Sequence, residues 1–358
     1  MLRNLKPEVV WIEGRCYRAN DSPAEFNSMQ EHDLYENEIT FEEPDDEEDD
    51  FKVEMLDNSR YCTSFHVSKH YLGSIIGKKG AIISGIKRDT KTDIKIPKHD
   101  QTGDVVILGP AESNVKAARR RINMIIMSSR MKQTSTHFLS IPMNNADIVK
   151  EFEKFKERVL QECPNPTLEE SLFIRSHKLH LTLGVMSLMD NDERIQVTNL
   201  LTEARDTIVI PLLQGHVPLK IRLKGLSYMN DDPKAINVLY GRVQEEDWAA
   251  AGLIQKLGDA LVDHFYKAGF MKKEFGRENI KLHVTFINTK YRETTDVDAP
   301  QQNQTINNRK TFDGSEILEK FADYDFGVME VTEIHLSQRH TMGPDGYYQP
   351  TCIISCKI

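Results

Sequence analysis

The chain has 358 residues, of which 39% are hydrophobic and 28% are charged, with a formal net charge of -9. This length exceeds what one hydrophobic core usually organises, so we expect two domains with additional segments. No apolar stretch is long enough to span a bilayer, and the first residues lack the pattern of a signal peptide, which argues against membrane and secreted classes. The five scattered cysteines lack zinc-site and disulfide spacings, so we expect reduced thiols in a soluble, intracellular protein.

Charge is distributed unevenly along the chain. Residues 1–57 hold 18 acidic and 5 basic residues, residues 58–132 hold 5 acidic and 15 basic residues, and the remainder has a net charge of -6. The run EEPDDEEDD at 42–50 cannot form a core, so we predict disorder there, with a solvating or self-shielding role as one alternative. The apolar and basic segment at 10–18 has strand-like composition and is a candidate docking element. The basic segment indicates an anionic partner.

The basic segment contains SIIGKKGAIISGIKRDTKTDIKIPK at 74–98. Its isoleucines first follow helical spacing and then alternate as in a strand, and Gly-Lys-Lys-Gly at 77–80 interrupts the helical pattern. Glycines between two short helices let a phosphate chain approach the backbone, a helix N-terminus offers amide donors, and the lysines supply countercharge. A strand at 104–109 and a helix from about 112 to 131 follow, the helix carrying Lys116, Arg119, Arg120 and Arg121.

This order of elements resembles a type I KH domain, which we assign to residues 58–132. The resemblance implies that single-stranded RNA is held between the glycine loop and an apolar groove. The residues implied to bind nucleic acid are Ile76, Gly77, Lys78, Lys79, Gly80, Ile94 and Ile96. A KH fold used only for protein contacts is the alternative, but two lysines in the loop favour RNA.

After a connector at 133–136, strands and helices interleave without a glycine-rich dinucleotide loop. This pattern predicts an α+β domain with mainly antiparallel sheets over residues 137–358. Helices are predicted at 145–163, 190–206, 248–269 and 314–323. Strands are predicted at 137–143, 178–187, 219–228, 236–243, 280–288, 328–337 and 350–357.

This second domain contains one motif twice, KLHLTL at 178–183 and KLHVTF at 281–286. In a strand, His180 and Thr182 share one face and the intervening leucines point into the core, and His283 and Thr285 repeat the arrangement. We therefore expect two lobes related by an approximate two-fold, with a cleft between them. One imidazole can accept a proton and the other can donate one to a phosphodiester, while the threonines bond the non-bridging oxygens. This chemistry requires neither a metal nor a cofactor.

Paired His-x-Thr motifs in this frame resemble the 2H phosphoesterase superfamily. The resemblance implies a two-lobed fold with a central cleft and a phosphodiesterase acting on RNA ends, cyclic phosphates or 2′-5′ linkages. The implied catalytic residues are His180, Thr182, His283 and Thr285. A catalytically silent subunit that holds a nucleotide or an RNA end is the alternative. His66 and His335 are also followed by x-Ser but lack the frame, so we expect His335 to line the cleft or to be structural.

A KH domain followed by a 2H domain is similar to a family of RNA-binding subunits of helicase-containing complexes. That similarity implies a nuclear protein that acts in transcriptional coactivation and alkylation-damage repair, with single-stranded RNA and a helicase complex as partners. It implies no membrane partner.

Overall fold

The computed structural model describes residues 9–12, 15–18, 51–56, 60–97, 103–272, 279–292 and 310–357. The acidic run at 42–50 lies outside these residues. Strands β1 (Val9–Ile12) and β2 (Arg15–Arg18) pair antiparallel, as the composition at 10–18 suggested, in a unit separate from residues 51–358. Within the described ranges, no helix combines the length and apolar character that crossing a bilayer requires.

An antiparallel four-stranded sheet and the helices packed on it form the first domain of the larger unit. The strands are β3 (Glu54–Leu56), β4 (Arg60–Phe65), β5 (Asp93–Lys95) and β6 (Val105–Gly109), in the order β3-β4-β6-β5. The helices are α1 (Lys69–Ile76), α2 (Ala81–Thr90) and α3 (Glu112–Met131). Apolar residues of α3 recur every three or four positions and are buried, so this helix covers the sheet. Strand β3 extends the sheet upstream of residue 58, the expected start of the domain.

The second domain is built on an eight-stranded antiparallel sheet. Its strands are β7 (His137–Pro142), β8 (His180–Met186), β9 (Lys220–Tyr228), β10 (Val238–Glu245), β11 (Val284–Asn288), β12 (Asp325–Glu330), β13 (Glu333–Met342) and β14 (Tyr348–Ser355). Its helices are α4 (Ala146–Glu162), α5 (Asn191–Ala204), α6 (Ile210–Leu213), α7 (Leu253–Lys267) and α8 (Ser315–Phe321). The α+β class with antiparallel sheets is confirmed.

The strand order β12-β9-β10-β11-β8-β7-β13-β14 divides the sheet into two halves. Strands β8 and β11, which carry the two copies of the motif, are adjacent in the middle, and each has three further strands on its outer side. The half around β8 contains the first and the last strands of the domain in sequence, and the half around β11 contains the strands between them. The expected two-lobed organisation is therefore present, and the repeated motifs meet at its centre.

The strand predicted at 328–337 is wrong, because two strands occupy this region. Strand β12 lies at one edge of the sheet beside β9, whereas β13 lies beside β7 in the other half. The chain crosses between the halves at Val331 and Thr332, where the Val331 amide donates to the Leu219 carbonyl. Neither glycine nor proline marks this crossing, so the apolar pattern reads as one continuous strand.

Candidate active site

The two motifs pair with each other at their central residues. Leu181 of β8 lies opposite Val284 of β11 in an antiparallel bridge, and both side chains are buried. Continuing this register by one residue in each direction places His180 opposite Thr285 and Thr182 opposite His283. Because directly opposite residues share a face of the sheet, the structure brings all four predicted catalytic residues together. All four are half-buried.

Both histidines are held by the same backbone contact. Nδ1 of His180 lies 2.7 Å from the Lys178 carbonyl oxygen, and Nδ1 of His283 lies 2.7 Å from the Lys281 carbonyl oxygen. A carbonyl oxygen only accepts hydrogen bonds, so we assign the proton of each neutral ring to Nδ1. The basic lone pair then lies on Nε2 in both rings. The two copies of the motif therefore share both their residues and the backbone hydrogen bond that fixes the tautomer of each histidine.

Aromatic rings pack against both imidazoles. The His180 ring centroid lies 5.0 Å from that of Phe138 and 5.3 Å from that of Tyr348, whereas His283 contacts Tyr240 at 5.4 Å. Burial lowers the pKa of His180 to about 4 against the opposing effect of its bond to the Lys178 carbonyl, and the nearby charge of His283 lowers it further. His180 is therefore neutral near pH 7.

The lysine of each motif covers the aromatic partner of its own histidine. The Lys178 ammonium lies 5.5 Å from the centroid of the Tyr348 ring, and the Lys281 ammonium lies 5.0 Å from that of Tyr240. Sequence reasoning missed these aromatic residues because they lie far from the motifs along the chain. The repeated lysine was the available signal, since its presence in both copies had no explanation in the strand pattern.

His335 lies on the same face of the sheet as the four predicted catalytic residues. It lies opposite Ser140 of β7, which in turn lies opposite Thr182. The residue is buried, and its Nε2 contacts the Glu333 carboxylate at 3.0 Å. Of the two expected roles, the structural one fits this environment.

The predicted RNA-binding loop has an unusual backbone. Gly77, Lys79 and Gly80 have positive φ angles of 69°, 54° and 78°, a region that favours glycine. A Cβ atom on Gly77 would lie 2.5 Å from the Ile82 side chain. Lys78 and Lys79 are exposed. The loop thus presents bare backbone and two ammonium groups to solvent, as phosphate binding requires.

The three isoleucines assigned to the apolar groove differ in exposure. Ile76 is 38% exposed and Ile96 is half-buried. Ile94 is only 2% exposed and packs in the core of the first domain. The structure therefore gives Ile94 a packing role and leaves Ile76 and Ile96 partly accessible to solvent.

Sequence comparisons agree with this architecture. Residues 135–356 match the family described as the AKAP7 2′5′ RNA ligase-like domain. The chain belongs to this AKAP7-like family. Residues 62–124 match the KH domain family, so both resemblances indicated by the motifs are confirmed.

A relative with the same domains covers almost the whole chain. Mouse activating signal cointegrator 1 complex subunit 1 is 31% identical over 352 residues, which cover 96% of this chain and 97% of the mouse protein. The similarity expected from a KH domain followed by a 2H domain is therefore present. The crystal structure of TT0787 from Thermus thermophilus covers 62% of this AKAP7-like chain at 15% identity and a TM-score of 0.38, and the match spans 97% of TT0787.

Proposed function

We propose that this protein is an RNA-binding phosphodiesterase. Its KH domain binds single-stranded RNA, and the His180 and His283 pair breaks a phosphodiester bond at an RNA end, in a 2′,3′-cyclic phosphate or in a 2′-5′ linkage. The observation that carries the proposal is the bridge between Leu181 and Val284, which sets two His-x-Thr motifs side by side with both Nδ1 atoms engaged.

The low pKa of His180 supports a role as the base. Neutral His180 accepts a proton at Nε2 from a water molecule or a 2′-hydroxyl as that oxygen attacks phosphorus. We assign the acid role to His283, which donates a proton to the leaving oxygen. The hydroxyls of Thr182 and Thr285 donate to the non-bridging oxygens, where negative charge grows in the transition state.

A catalytically silent binding subunit is the second candidate. The same four side chains would hold a terminal phosphate without turnover. The packing of Phe138 and Tyr348 against His180 favours this alternative, because it half-buries the proposed base. Both candidates bind phosphate, so only turnover separates them.

The name of the mouse relative describes it as a subunit of the activating signal cointegrator 1 complex. We propose that this chain also works in such a complex, with a helicase partner in the nucleus, in coactivation and alkylation-damage repair. The sheet of β1 and β2 is the proposed docking element. Deleting residues 1–20 should abolish co-purification with the complex, and unchanged assembly would refute the docking role.

The activity is tested by single-turnover hydrolysis in excess EDTA. The substrates are short single-stranded RNAs with a 2′,3′-cyclic phosphate, a 2′-5′ linkage or a plain 3′-hydroxyl. His180→Ala and His283→Ala should each abolish cleavage of the preferred substrate, and His340→Ala, which changes an exposed histidine of β13, should not. If wild-type protein binds RNA tightly but cleaves none of the three, the silent subunit is the correct function.

A further inference from the structure

A histidine of the KH domain lies between two carboxylates of the AKAP7-like domain. His66 follows β4, Asp190 caps the N-terminus of α5, and Asp192 lies in the first turn of that helix. Nε2 of His66 is 2.9 Å from a carboxylate oxygen of Asp190, and Nδ1 is 3.3 Å from a carboxylate oxygen of Asp192. Both ring nitrogens therefore contact the other domain.

The protonation state of the ring decides whether both contacts are favourable. An ionised carboxylate only accepts hydrogen bonds, and a neutral imidazole has a single N–H group. A neutral ring would therefore direct a lone pair at one of the two carboxylates. Only the imidazolium form presents an N–H group and a positive charge to both carboxylates. We propose that protonated His66 is a pH-dependent clamp between the KH and AKAP7-like domains, closed when the ring carries its second proton and weakened when it loses that proton.

A second contact, a buried ion pair, joins the same two domains without involving His66. Arg130, at the end of α3, lies 2.6 Å from Glu193, and both side chains are almost completely buried. A guanidinium is a permanent cation, so this ion pair joins the domains whether or not His66 carries its second proton. Because Glu193 is already neutralised, Asp190 and Asp192 are the acidic groups that face the ring.

Asp190 supplies a stable negative partner. Burial alone would raise its pKa, but the Glu193 amide and the His66 ring together hold the pKa below its ordinary value. The Asp190 carboxylate therefore stays ionised near neutral pH. Its second oxygen accepts the Glu193 amide at 2.9 Å, so the clamp is attached directly to the start of α5.

A divalent cation is the competing occupant. One donor atom from each of His66, Asp190 and Asp192 lies within 4.8 Å of the other two. A metal would bind one ring nitrogen together with both carboxylates. Here the two nitrogens contact different carboxylates, and this arrangement favours a proton. The clamp itself does not depend on whether the protein hydrolyses RNA.

Hydrogen–deuterium exchange of the full chain tests the clamp. Protection of amides at 66–72 and 187–194, corrected for intrinsic exchange rates, is compared in EDTA at about pH 6 and about pH 8. In wild-type protein, protection should fall roughly two- to fivefold at the higher pH, the factor expected for a partly exposed charged contact. Protection at 105–109, in the KH sheet, should not change and reports on global stability.

Variants assign the effect to the proposed groups. His66→Gln and Asp192→Asn should show low protection at both pH values, and Asp190→Asn should do the same while keeping a good N-cap. His70→Gln, which changes an exposed histidine of α1, should behave as wild type. A pH dependence that persists in His66→Gln, or none in wild type, would overturn the clamp. Protection restored by Zn²⁺ at about pH 8 would identify the occupant as a metal and overturn the proton assignment.

Discussion

Arg130 tests how strongly the two domains depend on each other. Its guanidinium pairs with Glu193, donates to the Gly269 carbonyl and lies 4.4 Å from the centroid of the Phe270 ring. The pair is nearly inaccessible to water, with side-chain exposures of 8% and 4%. Arg130→Ala removes the cation and leaves the Glu193 carboxylate buried without a countercharge.

The size of the effect follows from this burial. Removing one partner of a buried pair typically costs about 3–5 kcal/mol, because the remaining charge keeps its desolvation penalty. Replacing both partners by apolar residues of similar size removes that penalty and is often close to neutral. Arg130→Ala should therefore lower the free energy of unfolding by about 3–5 kcal/mol, whereas Arg130→Met combined with Glu193→Leu should lose much less.

Urea unfolding followed by circular dichroism provides the measurement. Each single variant and the double variant are compared with wild type, and the slope of the transition is checked for loss of cooperativity between the domains. Glu193→Gln serves as a milder change, since it keeps the shape of the side chain. A loss below about 1 kcal/mol for Arg130→Ala, with additive effects in the double variant, would refute the reasoning, because surface ion pairs behave in that way.

Three further predictions concern the KH loop and a buried histidine. Lys78→Asp with Lys79→Asp should weaken RNA binding, measured by fluorescence anisotropy, while a mononucleotide cyclic phosphate is still hydrolysed; loss of both would contradict separate roles for the domains. Gly77→Ala should destabilise the protein by about 1 kcal/mol or more in urea, whereas Gly85→Ala, in a helix with free space around it, should not. Burial lowers the pKa of His137 to about 4, so the unfolded chain takes up a proton first, near pH 6.5. The melting temperature should therefore fall between about pH 6.5 and 4, and less steeply in His137→Gln.

The sequence was sufficient to predict the centre of the candidate active site because the information there is local. Alternation within each motif determined which residues face the core, and the repetition indicated two equivalent strands. The aromatic partners came from other strands, and nothing near Phe138 or Tyr348 in sequence marks them as neighbours of His180. The burial that lowers the pKa of this histidine, and with it the proposed role of His180 as the base, could be inferred only from the sheet order.

The sequence alone also could not show which positive charges of the KH segment are exposed to solvent. From the sequence, each basic residue of α3 counts equally toward RNA binding. In the structure, Arg130 is neutralised by Glu193 at the domain contact, and Arg119 is half-buried against Phe65, which lowers its pKa to about 9. These two cations face protein rather than solvent. The formal charge therefore overstates the charge available to a nucleic acid.

The difference between the formal charge and the charge available to RNA can be measured from the salt dependence of RNA binding. If the net charge of +10 over residues 58–132 were neutralised by phosphates, the logarithm of affinity for single-stranded RNA would fall with the logarithm of salt concentration at a slope of about -7. We expect a slope between about -2 and -4, because the exposed Lys78 and Lys79 and a few neighbouring cations make the contacts. A slope steeper than about -5 would mean that RNA reaches far beyond the loop. In that case the KH domain would have to open its contact with the AKAP7-like domain to release Arg130, and the Arg130→Ala variant would show a shallower slope than wild type.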